Sequence, residues 1–561
     1  MNNALSMARR DLLRIGAVGG LGVGLGAMLP AWAQPVSPGL PTLSGEDITL
    51  RIARGSLAID GKAARAVTIN GTVPGPLLRL RQGQNLRLTV ENELDEDTSL
   101  HWHGLLLPFQ MDGVPGVSFP GIKAGGRFTY EFPIVQAGTY WYHSHSGLQE
   151  MMGQYAPIVI DPAGGERVQH DREHVILLSD HSFVHPATIL RKLKAEPGYY
   201  NYQRQTLSGL LAGKDQPLHD RLAWGRMRMD PTDIADVTGA VMSYLVNGHG
   251  PRDNWTALFA PGERVRLRFI NAAAMTAFNV RIPGLAFDVV AADGQDVRPV
   301  TVDEFQFSPG ETYDVIVRPQ EDRAFAIVGE SMDRSGMAVA TLAPRAGMRA
   351  AAPALRQRPL LTMKDMGMEM DGMDMAGMSM RDPANAPQVR MGPGVDMINP
   401  MPMDRTGDPG IGLDDAGHRV LTYKDLVALD PNPDTRAPAR EIQVHLTGSM
   451  DRYMWSMDGK TMSEAHEPLP IRTGERVRFT LVNDTMMAHP IHLHGHLFEL
   501  VTGHGDHAPR KHTVNVLPGG KVSWDVTGIA GDWAFHCHLF LHMVMGMMRI
   551  VQVRPVEGGA T

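Results

Sequence analysis

A ten-residue pattern occurs three times along the chain and limits the folds that are open to it. In each copy a Gly opens a run of alternating apolar and polar residues, and an Asn closes it; the copies are residues 83–92, 262–271 and 474–483. Alternation with a period of two predicts a half-buried β-strand, and the closing Asn predicts a turn. A second β-rich stretch precedes each copy, at residues 66–70, 241–246 and 442–446.

The repeat predicts an all-β chain of three antiparallel β-sandwich domains, at residues 45–163, 172–345 and 415–555. The composition agrees, because 60 Gly and 40 Pro among 561 residues suit a turn-rich protein and argue against a coiled coil or a helical repeat array. Residues 346–413 form an insert between the second and third domains. Its centre is rich in Met, Gly and Asp, which disfavours both helix and strand.

Residues 1–33 have the pattern of an export signal. Arg9 and Arg10 precede a Gly-rich, mildly apolar run, and Ala31 and Ala33 supply small residues at a cleavage position. The paired arginines favour twin-arginine export of a folded protein, with a plain secretory signal as the alternative. No later stretch approaches the about 18 apolar residues that a membrane span needs. We therefore expect a periplasmic protein without a membrane span.

The chain is mildly acidic and has one Cys. Its 53 Lys and Arg against 61 Asp and Glu give a net charge of −8, so we expect no nucleic-acid partner held by bulk charge. One Cys cannot close an intrachain disulfide, so stability must come from the sandwich cores and from bound groups. The unusual counts are 35 Met and 23 His.

The histidines that carry chemistry fall into four clusters. They are His101 and His103; His143 and His145; His489, His492 and His494; and His536, Cys537, His538, His542 and the nearby Met547. Residues i and i+2 of a strand project from one face, so each His-x-His pair presents two imidazoles side by side. Cys537 must then point away from His536 and His538. Two metal sites joined by covalent backbone are predicted.

The internal repeat separates the two sites. Residues 137–145 align without gaps on residues 530–538, but only the third domain adds Cys, two His and Met, the ligand set of a blue electron-transfer copper. Eight imidazoles remain, and they suit three coppers between the first and third domains. The middle domain has no histidine in the corresponding stretches, so we expect it to be structural. Isolated histidines are expected to be ordinary core or surface residues: His170, His174, His181, His185 and His496.

With these clusters the chain resembles the multicopper oxidases, which are three-domain cupredoxin proteins with Greek-key sandwiches. Within them it is similar to the bacterial copper-resistance protein A family, through residues 423–426, 451–459, 292–295 and 311–317 and the Met-rich insert. The resemblance implies four copper ions, one of type 1, one of type 2 and two of type 3. It also implies that electrons enter at type 1 and pass through Cys537 to its neighbours, where dioxygen is reduced to water.

The resemblance also implies the ligands of each copper. Type 1 would be held by His489, Cys537, His542 and Met547, and type 2 by His101 and His492. One type 3 copper would be held by His103, His143 and His538, and the other by His145, His494 and His536.

Reduction of dioxygen to water consumes protons, so a carboxylate relay is needed. Asp112 stands where related oxidases place such an acid, and the alternative is a turn Asp before Gly113. Some relatives place a Glu directly after the second type 1 histidine. Here Met543 stands at that position, so the sequence leaves the second proton route open.

The insert bears on the substrate. The methionines at its centre are Met363, Met366, Met368, Met370, Met373, Met375, Met378 and Met380. Thioethers prefer Cu(I), and the interspersed acids attract cations, so we predict binding of substrate copper. The alternative is a low-complexity linker without a ligand. Met450, Met454, Met457, Met486 and Met487 extend this prediction towards type 1, or are packing residues.

Three functions are consistent with these residues. The first is a multicopper oxidase that converts Cu(I) to Cu(II) with dioxygen as acceptor, in periplasmic copper resistance beside other copper-handling proteins. The second is a laccase-like oxidase of phenols, and the third is a copper-sequestering binding protein. We expect a monomer in each case.

Overall fold

The computed structural model describes residues 39–367 and 379–555. The predicted export signal, residues 1–33, and the centre of the Met-rich insert lie outside the described residues. No helix among the described residues is long and apolar enough to cross a membrane. The molecule is mostly β, and its sheets pair into three sandwiches.

The first domain is a sandwich of two sheets. Its strands are β1 (Thr42–Ser44), β2 (Asp47–Ile59), β3 (Lys62–Ile69), β4 (Leu77–Arg81), β5 (Asn85–Asn92), β6 (His101–His103), β7 (Arg127–Pro133), β8 (Gly138–His143) and β9 (Tyr155–Asp161). One sheet has the order β1-β4-β9-β8-β6 and the other β3-β2-β5-β7. Their facing apolar side chains form one core that includes Trp102, Tyr130 and Tyr142.

The middle domain adds short helices to two larger sheets. Its strands are β10 (Arg172–Ser182), β11 (Met242–Val246), β12 (Thr256–Leu258), β13 (Val265–Asn271), β14 (Phe278–Arg281), β15 (Phe287–Ala292), β16 (Gln295–Val302), β17 (Glu304–Phe307), β18 (Thr312–Val317), β19 (Phe325–Ser331) and β20 (Met337–Ala343). The helices are α1 (Pro186–Ala195), α2 (Leu207–Leu211) and α3 (Leu218–Met227). The sheet orders are β11-β10-β13-β18-β15-β16 and β12-β20-β19-β14-β17.

The third domain follows the insert and repeats the arrangement. The insert contributes β21 (Met403–Asp404). The strands of the third domain are β22 (Arg440–Ser449), β23 (Met454–Met457), β24 (Leu469–Arg472), β25 (Arg476–Asn483), β26 (His489–Leu493), β27 (Phe498–Leu500), β28 (Arg510–Lys511), β29 (Thr513–Val516), β30 (Gly520–Thr527), β31 (Gly531–Cys537) and β32 (Met548–Arg554), with the helix α4 (Phe540–Val544). The sheets run β23-β22-β25-β30-β27-β28, with β21 on β30, and β24-β32-β31-β26-β29.

The strands predicted from the repeat are present as β5, β13 and β25. The closing Asn acts alike in each copy: Asn92, Asn271 and Asn483 accept a backbone N–H two residues further on and donate to carbonyl groups of neighbouring loops. The side chain therefore fixes the turn by replacing a backbone partner. This explains why the pattern ends in Asn each time.

The prediction of purely antiparallel sheets is wrong. In the first domain β3 is antiparallel to β2, β4 crosses to the other sheet, and the chain returns as β5, parallel to β2. The same crossover makes β13 parallel to β10 and β25 parallel to β22. Each domain thus has mixed sheets. The chain leaves the first sheet, passes through a strand of the opposite sheet, and re-enters the first sheet parallel to the strand that it pairs with.

The strand β13 also differs from the expected half-buried pattern, because all of its residues are buried. Its polar face carries Arg266 and Arg268, whose guanidinium groups lie 2.7 and 2.9 Å from Oδ2 of Asp314. Glu166, which follows the first domain, covers both. The alternating polar residues therefore face an ion-pair network between domains, where the charges satisfy one another.

Candidate metal centre

Two pairs of adjacent strands bring the histidine clusters face to face. β6 lies beside β8 with His101 opposite His143, and β26 lies beside β31 with His492 opposite His536. The first and third domains thus present the same pairing, as the sequence repeat predicts. In the other three His-x-His pairs the second histidine lies just past the end of β8, β26 or β31; these residues are His145, His494 and His538.

Eight imidazoles of the first and third domains meet in one group, the imidazole cluster: His101, His103, His143, His145, His492, His494, His536 and His538. His101 stacks on His494, and His103 stacks on His492, each with ring centroids 3.8 Å apart. Nε2 of His536 lies 3.0 Å from Nε2 of His494. Since rings of the two domains alternate, the cluster exists only where the domains meet.

The imidazole cluster fits metal ions, because ring nitrogens face one another without other partners. Among the described residues, nothing hydrogen-bonds Nδ1 of His103 or Nε2 of the rings of His101, His143, His492 and His538. An unpartnered buried polar atom is costly, and a metal would satisfy several at once. Triads such as His101, His103 and His143, or His145, His494 and His536, have candidate ligand atoms within 4.8 Å of one another.

Electrostatics favour the neutral form of these rings, which is the form that binds metal. Burial, followed by repulsion from neighbouring imidazoles, lowers the pKa well below its ordinary value in His103, His143, His145, His492, His494 and His538. Burial likewise lowers the pKa of His536 to about 4. The lone pairs are therefore available at neutral pH.

A second group lies around Cys537. Its Sγ is 3.6 Å from Nδ1 of His489 and 3.9 Å from Nδ1 of His542, and those two nitrogens are 3.2 Å apart. Met547 is fully buried beside them in the same apolar core, and its carbonyl accepts the backbone N–H of Cys537. Burial raises the pKa of the Cys537 thiol, so only a bound cation would make it a thiolate here. The side chain of Cys537 therefore points away from those of His536 and His538, as predicted.

Two buried carboxylates hold rings of the imidazole cluster. Oδ2 of Asp112 lies 2.8 Å from Nδ1 of His494, and its Oδ1 lies 3.3 Å from Nδ1 of His101. Oε2 of Glu150 lies 2.7 Å from Nδ1 of His143. Burial raises the pKa of Glu150 well above its ordinary value. Carboxylates in this position orient a ligating ring and increase its basicity.

The Cys537 group is held from both sides. The Thr485 hydroxyl lies 2.7 Å from Nε2 of His489, and Oδ2 of Asp236 lies 2.6 Å from Nε2 of His542. Asp236 also accepts the Tyr453 hydroxyl, and burial raises its pKa to about 7. Asp236 belongs to the middle domain, so this domain contributes to the metal centre, which the sequence analysis does not predict.

Sequence reasoning also misses His512, a ninth buried ring beside the imidazole cluster. Its centroid lies 4.7 Å from that of His103 and 5.5 Å from that of His492, and its Nε2 has no partner among the described residues. No second histidine stands near it in the sequence at i+2, so the pairing signal is absent. The other isolated histidines are hydrogen-bonded as expected: His170, His174, His181, His185 and His496.

A cavity of about 420 Å³ adjoins the Cys537 group. Trp455 in its wall stacks on His542 with centroids 3.8 Å apart, and Thr485 in its wall touches His489. Six thioethers line it, those of Met227, Met229, Met380, Met397, Met450 and Met486. Three carboxylates line it as well, those of Asp396, Asp451 and Asp484. We call this space the methionine cavity.

The predicted methionines have different surroundings. Met380, Met450 and Met486 line the methionine cavity, whereas Met457 and Met487 are buried core residues. Met366 is fully buried in an apolar cluster, and Met363 packs against it. The other methionines predicted to bind substrate copper lie outside the described residues: Met368, Met370, Met373, Met375 and Met378.

Comparison with known proteins agrees with this geometry. Profiles described as multicopper oxidase match residues 51–164, 220–348 and 435–557, one in each domain. The three sandwiches, the imidazole cluster and the Cys537 group thus define the class, an enzyme that passes electrons from a reducing substrate to dioxygen. The crystal structure of the laccase from Botrytis aclada shares the fold, with a TM-score of 0.63, 22% identity, and coverage of 91% of this chain and 88% of that one.

Two bacterial relatives are much more similar. The chain is 47% identical to a Copper resistance protein A homolog of Pseudomonas syringae pv. tomato, over 93% of this chain and 95% of that protein. It is 45% identical to Copper resistance protein A of Escherichia coli, over 98% and 99%. The chain therefore belongs to the copper resistance protein A family of multicopper oxidases.

Proposed function

We propose that the protein holds four copper ions and oxidises Cu(I) to Cu(II) in periplasmic copper resistance. His489, Cys537, His542 and Met547 would hold the type 1 copper, and His101 with His492 the type 2 copper. The two type 3 coppers would be held by His103, His143 and His538 and by His145, His494 and His536. The observation that carries the substrate assignment is the methionine cavity beside His489 and His542.

The protein's own residues define where electrons and protons travel. When bound, the coppers supply one-electron acceptance at the Cys537 group and reduction of dioxygen at the imidazole cluster. Cys537 is bonded through the backbone to His536 and His538, so one covalent path joins the two groups. No side chain has to move along this path, because all three residues are buried in or next to β31.

Asp112 is the proposed proton source at the imidazole cluster. Its carboxylate touches His494 and His101, so it holds both rings and lies next to the site where protons are consumed. Asp112 directly follows the turn at Phe109–Met111, where its backbone N–H bonds the carbonyl of Phe109. Its backbone thus completes the turn while its side chain is available for the proposed proton transfer.

The chemistry of the methionine cavity favours Cu(I) over an organic substrate. Thioether sulfur is a soft donor that prefers Cu(I). The cavity is also lined by Arg226, Arg228 and Arg381, which repel a cation, and the three carboxylates counter that repulsion. Trp455 and Thr485 connect the cavity wall to the two type 1 imidazoles. A bound Cu(I) would therefore lie one side chain away from the proposed electron acceptor.

Substitution of Met450 and Met486 tests the substrate. Deletion of residues 363–380 would remove Met366 from an apolar cluster, so Met450→Leu with Met486→Leu is the cleaner change. Leu keeps volume and apolarity but has no donor atom. Oxygen consumption is measured with Cu(I) and with a phenol, and we expect Cu(I) turnover to fall at least about tenfold, since each lost soft ligand weakens binding.

The exposed Met462 provides the control, because it lies outside the cavity. Met462→Leu should leave both activities unchanged. If the double variant loses phenol turnover and keeps Cu(I) turnover, the protein is a laccase-like oxidase and the proposal is wrong.

Cell fractionation with the signal intact and with Arg9 and Arg10 replaced by Lys tests the proposed export.

A further inference from the structure

The middle domain reaches the imidazole cluster through one carboxylate. Asp293 is fully buried in the turn between β15 and β16, and its Oδ2 accepts the backbone N–H groups of His512 and Thr513, each at 3.1 Å. Nζ of Lys511 lies 3.1 Å from the same oxygen. Three consecutive residues of the third domain are thus held by one side chain of the middle domain.

The charges around Asp293 keep it ionised despite its burial. Burial by itself raises its pKa, but His512, Lys511 and the backbone N–H donors outweigh this, so the pKa is lowered below its ordinary value. An ionised carboxylate accepts stronger hydrogen bonds than a neutral one. These contacts with the ionised carboxylate therefore hold the segment from Lys511 to Thr513 more firmly than backbone hydrogen bonds alone would.

What Asp293 fixes is the Thr513 hydroxyl, which three imidazoles share. Oγ1 of Thr513 lies 3.1 Å from Nε2 of His103, 3.2 Å from Nδ1 of His492 and 3.0 Å from Nδ1 of His512. Thr513 is fully buried, and the backbone carbonyl of His512 lies 2.7 Å from Nδ1 of His492. These contacts join both domains that build the imidazole cluster.

The contacts determine which nitrogen of each ring remains free. A carbonyl only accepts, so Nδ1 of His492 must carry its hydrogen, and Nε2 keeps the lone pair. A hydroxyl can accept two hydrogen bonds and donate one. It accepts from Nδ1 of His492, and its own hydrogen can go to His103 or to His512. The assignment that leaves the unpartnered Nδ1 of His103 its lone pair has Nε2 of His103 donating to the hydroxyl and the hydroxyl donating to His512. In both proposed ligands the free nitrogen is the one that has no partner among the residues the structure describes, Nε2 of His492 and Nδ1 of His103.

We propose that Thr513 is a positioning residue that sets the metal-binding nitrogen of His103 and, together with the backbone carbonyl of His512, that of His492, and that Asp293 of the middle domain holds it in place. This inference rests on the copper ligands of the proposed function. It extends that function by giving the middle domain a direct part in assembling the copper cluster between the other two domains.

The test compares Thr513→Val with Thr513→Ser in the copper-loaded protein. Val keeps the shape of Thr without the hydroxyl, and Ser keeps the hydroxyl without the methyl group. Copper content, the type 2 EPR signal and the blue type 1 band are measured during competition with a copper chelator. We expect Thr513→Val to lose type 2 and type 3 copper at an about 10–100-fold lower chelator concentration, the usual effect of removing a partner of a ligating His.

The same experiment should leave the blue band of Thr513→Val at full intensity, because His489, Cys537 and His542 do not contact Thr513. Thr513→Ser should restore retention of type 2 copper. Thr341→Val is the matched control, since Thr341 is fully buried and its hydroxyl bonds Asn254 and the backbone N–H of Ala350, which lie outside the imidazole cluster. It should match the wild type in copper retention.

The outcomes separate this inference from the proposed function. If Thr513→Val retains type 2 copper like Thr341→Val, or if Thr513→Ser loses as much copper as Thr513→Val, the hydroxyl is not the positioning group. Asp293→Asn should shift the type 2 EPR parameters in the same direction as Thr513→Val, and unchanged parameters would overturn the role of the middle domain. A wild type without any type 2 signal would instead contradict the proposed ligands.

Discussion

Oδ2 of Asp236 lies 2.6 Å from Nε2 of His542, so a carboxylate of the middle domain holds an imidazole of the third domain beside Cys537. Nδ1 of the same ring faces Cys537 and His489. The ring is thus fixed at one nitrogen and free at the other, the arrangement that a ligating imidazole requires. A bound metal cation favours the ionised form of Asp236, so a negative charge lies close to any metal that this group holds.

Asp236→Asn should therefore change the reduction potential of the type 1 copper more than its occupancy. The amide oxygen of Asn still accepts from Nε2 of His542, but the negative charge that favours the oxidised metal is removed. We expect the potential to rise by on the order of 50 mV, which corresponds to the loss of about 1 kcal/mol from one charged hydrogen bond. Redox titration of the blue band measures it. An unchanged potential would mean that the charge of Asp236 does not act on the type 1 copper.

Cys537→Ser should abolish the blue colour and the oxygen consumption with every reductant. The imidazole cluster should keep its copper, because Cys537 points away from it and towards His489 and His542. Absorption spectra, copper content and oxygen uptake check this. Cells that carry the variant should lose protection against copper. Growth equal to the wild type in high copper would instead indicate a sequestering protein, in which oxidase activity is not required.

The parts predictable from sequence are those that local periodicity encodes. Alternation predicted β5, β13 and β25, and the spacing of i and i+2 predicted paired rings, which have centroid distances of 5.8 Å for His101 and His103 and 5.6 Å for His536 and His538. These features depend on neighbouring residues of one strand. The repeat then indicated that the first and third domains would meet with their clusters facing each other.

The parts that were not predictable depend on contacts between distant residues. Asp236 and Asp293 act on residues more than two hundred positions away, and nothing in their local sequence indicates a partner. Glu150 is different, because a signal was present. When the gap-free alignment of residues 137–145 on 530–538 is continued, Gln149 falls opposite His542 and Glu150 opposite Met543. The acid that the third domain lacks thus stands at the equivalent position of the first domain.

Glu150→Leu should therefore weaken the type 3 copper that His143 is proposed to hold. Leu leaves Nδ1 of His143 without its carboxyl partner, and loss of such a partner costs about 10–100-fold in metal affinity. Glu150→Gln retains an acceptor oxygen and serves as the control, with a smaller effect. Copper content and the near-ultraviolet band of the coupled copper pair are measured. Equal losses in the two variants would show that charge, and not the hydrogen bond, is what His143 requires.

The contact between the first and middle domains should weaken in acid through Glu173. Its Oε2 lies 2.8 Å from Nε of Arg268 in the middle domain, and its Oε1 pairs with Arg79 of the first domain. Burial by itself raises the pKa of Glu173, but Arg268 and Arg79 outweigh it and lower the pKa to about 2. A lowered pKa means that the folded protein prefers the ionised form more strongly than the unfolded chain does.

The sign of the pH dependence follows from this preference. The contribution of Glu173 to stability is fully present above about pH 4.5, the ordinary pKa of Glu, and is lost as the pH falls through about 2. Glu173→Gln should lower the free energy of unfolding at neutral pH by up to about 3 kcal/mol, and the difference from the wild type should shrink below about pH 4. Urea unfolding followed by Trp fluorescence across this pH range measures it. Glu131→Gln, a mostly exposed residue, should shift nothing, and a Glu173→Gln effect that stays constant down to pH 2 would mean that the ion pair is not its source.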